Sequence, residues 1–309
     1  MKKIILLTGS SGMVGRNIIN HNFSKNYKIL SPTSSDLNLL NYKDIEDYIA
    51  FNKPELVIHA AGIVGGIEAN INYPVKFLVN NMQMGLNILM ASKIQKVKKF
   101  INFSTSCMYP RDAKNPLSED LILKGELEPT NEGYALAKLT STRLCEYIVR
   151  EDSSFLYKTV IPCNLYGKFD DFNYDSSHMI PGVIRKIHDA KNNNLEFVNI
   201  WGDGLARREF MYASDFADFI YHAIENFFEM PQNINVGMGF DYSIVEYYKI
   251  IAKEINYHGK FNHDLKKPVG VKEKLIDNNK LDNFGWTHKT SLKSGIKNTY
   301  DYFLNKILS

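Results

Sequence analysis

The sequence predicts an α/β fold: a Rossmann-type, doubly wound parallel sheet with a smaller, interleaved C-terminal region. Three observations predict it. Short β-branched apolar runs alternate with longer stretches of helical spacing through the first half of the chain. A glycine-rich turn joins the first of those runs to the first amphipathic stretch. After Leu165 the alternation gives way to turn-rich, aromatic segments and the polar run Asn192-Asn193-Asn194, which suit small elements laid over a main sheet.

Taken in order, strands are predicted at Ile4–Leu7, Lys28–Leu30, Leu56–His59, Phe100–Phe103 and Lys158–Ile161. Between them, Gly15–Phe23, Tyr42–Phe51, Pro74–Lys93 and Gly133–Glu151 are each polar on one side and apolar on the other, as crossover helices covering a parallel sheet must be. The chain has 309 residues, 44% of them hydrophobic, enough to bury a substantial core. Its 37 Lys and Arg against 34 Asp and Glu are spread along the chain rather than gathered into blocks, so nucleic acid is not an expected partner. The run Ile4–Leu7 is far too short for a signal segment or a membrane span. Cys107, Cys145 and Cys163 have no metal-ligand spacing and are odd in number; no metal and a reducing, cytoplasmic setting are expected.

Gly9-Ser10-Ser11-Gly12-Met13-Val14-Gly15 lies between the first strand and the first helix. In that place glycines allow a tight turn, close approach of backbone to a pyrophosphate, and close helix packing, while the helix N-terminus faces the phosphates. Residues 1–165, with segments returning from about 205–240, are therefore expected to form the dinucleotide-binding domain, and 166–309 mainly the substrate-binding region. The second strand runs into Ser31-Pro32-Thr33-Ser34-Ser35, with the first acid, Asp36, beyond that turn. An acidic group at this strand end accepts from a ribose 2′-hydroxyl and repels a 2′-phosphate, so the hydroxyl-rich turn favours NADPH.

Tyr134 and Lys138 lie one helical turn apart on the same face, where an ammonium lowers the pKa of a phenol and makes it a usable proton donor. Ser104-Thr105-Ser106-Cys107 follows the fourth strand, at the carboxyl edge where open α/β sheets bind ligands, and Thr105 can hold a substrate oxygen there.

With these residues and a further set of motifs the chain resembles the extended short-chain dehydrogenase/reductases, and within them the GDP-L-fucose synthases, over nearly its whole length. The markers are Gly12-Met13-Val14-Gly15, Ala60-Ala61-Gly62-Ile63-Val64-Gly65-Gly66-Ile67, Ser106-Cys107-Met108-Tyr109-Pro110, Glu128-Pro129-Thr130-Asn131-Glu132 and Asn164-Leu165-Tyr166-Gly167. Ser177-His178-Met179-Ile180-Pro181, Trp201-Gly202-Asp203-Gly204, Arg208-Glu209-Phe210 and Asn235-Val236-Gly237 continue the likeness. The resemblance implies that Thr105 stands for the usual catalytic serine, with Tyr134 as proton donor, Lys138 as its partner, and Cys107 and His178 as an epimerising pair at C3 and C5 of a 4-keto sugar. It places Gly9 to Gly15, Ser34, Asn38, Leu39, Ala60, Ala61, Ser104, Lys138, Pro162, Cys163, Asn164, Leu165 and His178 around NADPH. It places Ser106, Cys107, Asn164, Lys186, Trp201 and Arg208 around a GDP-linked keto sugar, in a homodimer built through the Tyr134 helix and the helix around Asn80 to Ala91. Lys186 replaces an arginine of some members, and Val269, in Lys267-Pro268-Val269-Gly270, replaces an acid.

Three other activities fit parts of this pattern: a C4 reductase of a GDP-4-keto-heptose, an epimerase or dehydratase with tightly held nucleotide, and a non-catalytic nucleotide sensor. Ser106-Cys107 argues against the dehydratase, which would want a Glu beside Thr105, and the intact Tyr134/Lys138 pair argues against the sensor.

Overall fold

A computed structural model describes residues 2–174, 176–267 and 269–307, so Pro268 of the motif above lies outside the described residues. The chain opens with β1 (Ile4–Thr8), α1 (Met13–Asn20), β2 (Lys28–Leu30), α2 (Tyr42–Asn52), β3 (Leu56–His59), α3 (Ile67–Asn72), α4 (Pro74–Ile94) and β4 (Lys99–Phe103). It continues with α5 (Glu132–Glu151), β5 (Leu156–Pro162), β6 (Asn164–Tyr166), α6 (Met179–Asn192), β7 (Phe197–Trp201), β8 (Arg207–Arg208), β9 (Phe210–Tyr212) and α7 (Ala213–Glu225). The last elements are β10 (Asn233–Val236), β11 (Tyr242–Ser243), α8 (Ile244–Ile255), β12 (Lys260–Asp264), β13 (Glu273–Lys274), α9 (Asn279–Asn283) and α10 (Leu292–Ile307).

Six strands form one sheet in the order β10-β5-β4-β3-β1-β2, all paired parallel. The strand order reverses between β1 and β3, the point at which doubly wound sheets open a crevice at their carboxyl edge. Leu6, Leu7, Val57, Phe100, Ile101 and Val160 are fully buried, as strands covered on both faces require. One correction concerns the first helix, expected over Gly15–Phe23. It starts at Met13 and stops at Asn20, and a 3-10 turn over Asn22–Asn26 carries the chain on into β2. The helices α4 and α5 lie against each other, and a Cβ at Gly85 would come 2.2 Å from Ser141 Oγ, so a larger residue there would push the Ser141 hydroxyl aside.

The second half returns to this sheet. β10 extends its edge beyond β5, and Tyr221 of α7 donates to the Ile18 carbonyl at the end of α1 (2.8 Å). The same core also takes Ile276, Leu281 and Trp286, from well past residue 240. A separate apolar cluster, including Ile180, Ile184, Ile187, Ile200, Tyr247, Ile251 and Phe303, holds α6, α8 and α10 together over β7 and β12.

Candidate active site

The glycine turn is shaped by its surroundings. Gly9 has φ +71°, and a Cβ there would lie 2.5 Å from the Ala61 nitrogen; a Cβ at Gly15 would lie 2.2 Å from the Gly9 carbonyl oxygen. Gly12 is different: the nearest atom to its added Cβ is Gly9 O at 3.5 Å, and both Gly12 and Ser11 are exposed. Gly12 is also the N-cap of α1, and no side chain caps it, which leaves the first-turn N–H groups for an anion. An open, uncapped helix start fits a dinucleotide pyrophosphate. Ser10 serves the turn itself, its hydroxyl donating to the Ser31 and Pro32 carbonyls (3.1 and 3.2 Å).

At the end of β2 the turn Ser31–Ser35 is free of acids, and Asp36, the first acid beyond it, bonds back onto it. Asp36 folds back, and its carboxylate accepts from the Thr33 backbone (2.9 Å) and the Thr33 hydroxyl (2.7 Å), bonds that hold its pKa below the usual value. Ser34 and Asn38 are exposed beside it, whereas Leu39 is buried in the core and offers a ligand only its backbone.

Tyr134 and Lys138 project from the first turns of α5. Lys138 is buried, and its ammonium donates to the Phe103 carbonyl at the end of β4 (2.9 Å), 6.0 Å from the centre of the Tyr134 ring. A Cβ on Gly62 would lie 3.6 Å from this ammonium and 3.2 Å from Asn81 Oδ1. Asn81, from α4, fixes that loop by accepting from Ile63 N (2.8 Å) and donating to Ile63 O (3.0 Å). Desolvation lowers Lys138 to about 8. The phenol does not follow the expected direction: desolvation pushes it well above its ordinary value, and the nearby Cys107 charge pushes it further. Tyr134 is thus held protonated, as a proton donor must be.

Thr105 caps the 3-10 turn Ser106–Met108, its Oγ1 accepting from Cys107 N at 3.2 Å. The Cys107 sulfur receives two donors, Asn131 Nδ2 at 3.3 Å and Lys274 Nζ at 3.5 Å. Desolvation acts to raise this thiol, but the Lys274 charge, the hydrogen bonds from Thr105 and Lys274, and the more distant Arg208 outweigh it, and the pKa is lowered. His178 is the N-cap residue of α6. Burial lowers its pKa, Asp171 opposes the shift and Lys274 adds to it, so the imidazole favours its neutral form rather than the imidazolium expected of an acid.

The remaining expected ligand residues fall in two places. Asn164 lies between Pro162 and Leu165 where β5 passes into β6, and its amide donates to the Glu209 carbonyl at 2.9 Å. Lys186 Nζ sits 5.1 Å from the Trp201 ring, and the ring carries a second cation, Lys267, at 4.6 Å. Lys267 in turn pairs with Glu68 at 2.8 Å. Arg208 Nη2 donates to the Val269 carbonyl (3.2 Å), a contact that Val269 makes through its backbone. Ser106 is buried beside Cys107, and Ser104 spends its hydroxyl on Met108 Sδ (3.2 Å).

Sequence reasoning missed Asn81, Lys267 and Lys274 as site residues. Nothing in the local sequence around Lys274 distinguishes it from other surface lysines. Asn131 stood inside a quoted motif without a role.

A profile of the NAD dependent epimerase/dehydratase family matches residues 5–237. The chain belongs to that family. Among its relatives, GDP-L-colitose synthase of Yersinia pseudotuberculosis is 61% identical over 302 residues, covering 98% of each chain. GDP-L-fucose synthase of Azorhizobium caulinodans is 48% identical, covering 98% of this chain and 96% of the relative. Among solved structures, a GDP-6-OMe-4-keto-L-xylo-heptose reductase from C. jejuni superposes with a TM-score of 0.91 at 27% identity, over 99% of this chain and 98% of the other. A GDP-mannoheptose C4 reductase from Campylobacter jejuni, solved with NADP bound, gives 0.89 at 27% identity, over 98% of both chains. Among the described residues, no helix is long and apolar enough to cross a membrane, and no group of three or more His, Cys, Asp or Glu could hold a metal ion.

Proposed function

We propose that this member of the family is an NADPH-dependent reductase of a GDP-4-keto-6-deoxy sugar that also inverts a carbon beside the ketone. The observation that carries this reading is one cleft with two differently tuned proton-transfer groups, a phenol held protonated and a thiol biased toward thiolate. Bound NADPH supplies the hydride that reduces C4. Thr105 and Tyr134 meet the ketone oxygen, and Tyr134 delivers the proton to the new alkoxide while Lys138 stabilises the phenolate left behind. Before reduction, the Cys107 thiolate takes the proton from a carbon next to the ketone: the C–H bond breaks, an S–H bond forms, and the electron pair moves to the carbonyl oxygen. His178, neutral in the resting cleft, takes a proton from solvent and delivers it to that carbon from the other face: a C–H bond forms as the electron pair returns from the enolate oxygen, and the Cys107 proton leaves to solvent. Lys186, Trp201 and Arg208 hold the GDP.

The 61% identity to a GDP-L-colitose synthase favours a second form of the same reading. Colitose lacks the 3-hydroxyl that fucose carries, so inversion would then be confined to C5. A GDP-4-keto-heptose reduced without inversion is the third substrate to include. Mass spectrometry and NMR of the products from all three GDP-4-keto sugars with NADPH decide among them. Consumption of NADPH with none of the three overturns the reading.

A homodimer through α4 and α5 is part of the same proposal. Tyr73, Val75 and Val79 at the start of α4 and Leu136 and Tyr147 on α5 are exposed apolar side chains on the two helices such an interface would use. A reducing cytoplasm suits Cys107, Cys145 and Cys163, all unpaired thiols. Sedimentation at micromolar protein concentration tests the dimer.

A further inference from the structure

The two-residue strand β13 is bonded on both sides. Glu273 and Lys274 pair in parallel with Arg207 and Arg208 of β8. On the other side the Asn115 side chain donates to Glu273 O (3.4 Å) and accepts from Leu275 N (2.8 Å), and Leu117 N donates to Leu275 O (2.8 Å). One residue on, Ile276 N donates to the buried Glu209 carboxylate (3.2 Å), which also accepts from Met238 N and Gly239 N. Bonds from two separate segments, 115–117 and 207–209, therefore fix the backbone on both sides of Lys274. What this framework presents to the cleft is an ammonium 3.5 Å from the Cys107 sulfur.

We propose that Lys274 is the positioning residue for the epimerising step, holding Cys107 as the thiolate while disfavouring a second positive charge on His178. The proposal rests on the epimerase half of the function proposed above. Its geometric basis is the convergence of two donors from separate elements on one sulfur, Asn131 at the start of α5 and Lys274 on β13. The charged and titratable groups around the sulfur divide in sign. Lys274 and Arg208 favour the thiolate, and Tyr134 couples to it electrostatically. Arg111, Glu128 and Glu273 line the small cavity beside it. Glu128 is engaged locally, accepting from Thr130 N and Oγ1 at 3.3 and 2.9 Å. The Asn131 side-chain oxygen Oδ1 is buried and makes no hydrogen bond among the described residues, so the amide whose Nδ2 donates to the sulfur has an acceptor left over. Lys274 biases the cleft toward thiolate and neutral imidazole, the pair of states from which a carbon acid can be deprotonated on one face.

The test measures the thiol directly. Alkylation of Cys107 by iodoacetamide, located by mass spectrometry, is followed against pH in the full chain for wild type, Lys274→Met and Lys274→Arg, with NADPH binding as the check that each variant is folded. The midpoint in Lys274→Met should rise by about one pH unit or more, slowing alkylation at neutral pH by roughly tenfold, and Lys274→Arg should restore most of it. In parallel, the pH profile of solvent-deuterium exchange into the GDP-4-keto sugar should move up by the same amount in Lys274→Met. An unmoved alkylation midpoint in a Lys274→Met variant that still binds NADPH overturns the proposal, as would a higher KM for the sugar with no change in either pH profile, which would make Lys274 a substrate contact only. If the midpoint moves but wild type exchanges no deuterium into any of the three sugars, Lys274 tunes the thiol and it is the epimerase function that fails.

Discussion

The two proton-transfer pairs of the cleft use the same two kinds of group, a weak acid and a lysine, and arrive at opposite settings. Tyr134 and Lys138 lie on one helix, but the ammonium is spent on the Phe103 carbonyl and both groups are desolvated, so each moves toward its neutral form. Cys107 and Lys274 come from segments 167 residues apart, and there the ammonium points at the sulfur and outweighs desolvation. Sequence proximity of an acid and a base does not fix the sign of a pKa shift. What fixes it is whether an ammonium aimed at the acid is close enough to outweigh the desolvation that both pairs share.

The sharpest way to break this comparison is to remove the phenol. Tyr134→Phe should lower reductive turnover by roughly 10²–10⁴ with NADPH binding nearly intact, because only the proton donor is lost. Deuterium exchange through Cys107 should continue in the same variant. A loss of both reactions would show one shared site in place of two pairs. The converse variant, Cys107→Ser, should cut exchange by about 10² or more, since a hydroxyl is a far weaker acid than a thiol, while reduction of a sugar already in its final configuration survives. Exchange at the wild-type rate would remove Cys107 from the mechanism.

The pH dependence sharpens the comparison further. Lys138 is lowered to about 8, and the phenol is pushed up, so kcat/KM for reduction should be level below pH 8 and fall as pH rises through it, with no limb from Tyr134 ionisation below that of an ordinary tyrosine. The stability sign follows from the same shift. A lysine lowered on folding is more protonated in the unfolded chain between about pH 8 and about 10.4, so its contribution to stability grows with pH across that window and is a constant cost below it. A rate profile that stays level to pH 10 would show that burial does not hold the Lys138 ammonium down in the working enzyme.

Much of the cofactor half is legible in the sequence because its determinants are local. The glycine turn, the alternation of apolar runs and the Tyr134/Lys138 spacing each lie within a few residues of chain, and β2, β3 and α2 begin where the pattern places them. The thiol's environment is not legible for the opposite reason. Lys274 acquires its place through β8, Asn115 and the Glu209 carboxylate, contacts that span 66 to 160 residues of chain and leave no periodic trace. Glu209 shows the intermediate case: it stands in a quoted motif, but only the fold reveals that its buried carboxylate gathers Met238, Gly239 and Ile276. The direction of the Tyr134 shift is not legible in the sequence, because spacing gives distance along a helix and says nothing of how deeply the phenol is buried or which acceptor the lysine finds.

The smallest effect expected lies at the other end of the nucleotide, where the same rule applies to an exposed group. Asp36 sits at the tip of the turn after β2 and stays ionised because Thr33 donates to it twice. Its charge opposes a 2′-phosphate, and it also occupies the Thr33 hydroxyl that could otherwise donate to that phosphate. Asp36→Asn should therefore tighten NADPH binding and leave NADH binding nearly unchanged. The gain should be modest, on the order of two- to fivefold, because the carboxylate is fully exposed and its repulsion is screened by water and salt. Titration of both nucleotides against wild type and variant at low and high ionic strength measures it, and the difference should shrink as salt is added. Looser NADPH binding in Asp36→Asn would show that the carboxylate's service is structural, holding Thr33 and Ser35 in the shape that receives the phosphate, and that at this site the bonds to Thr33 outweigh the charge.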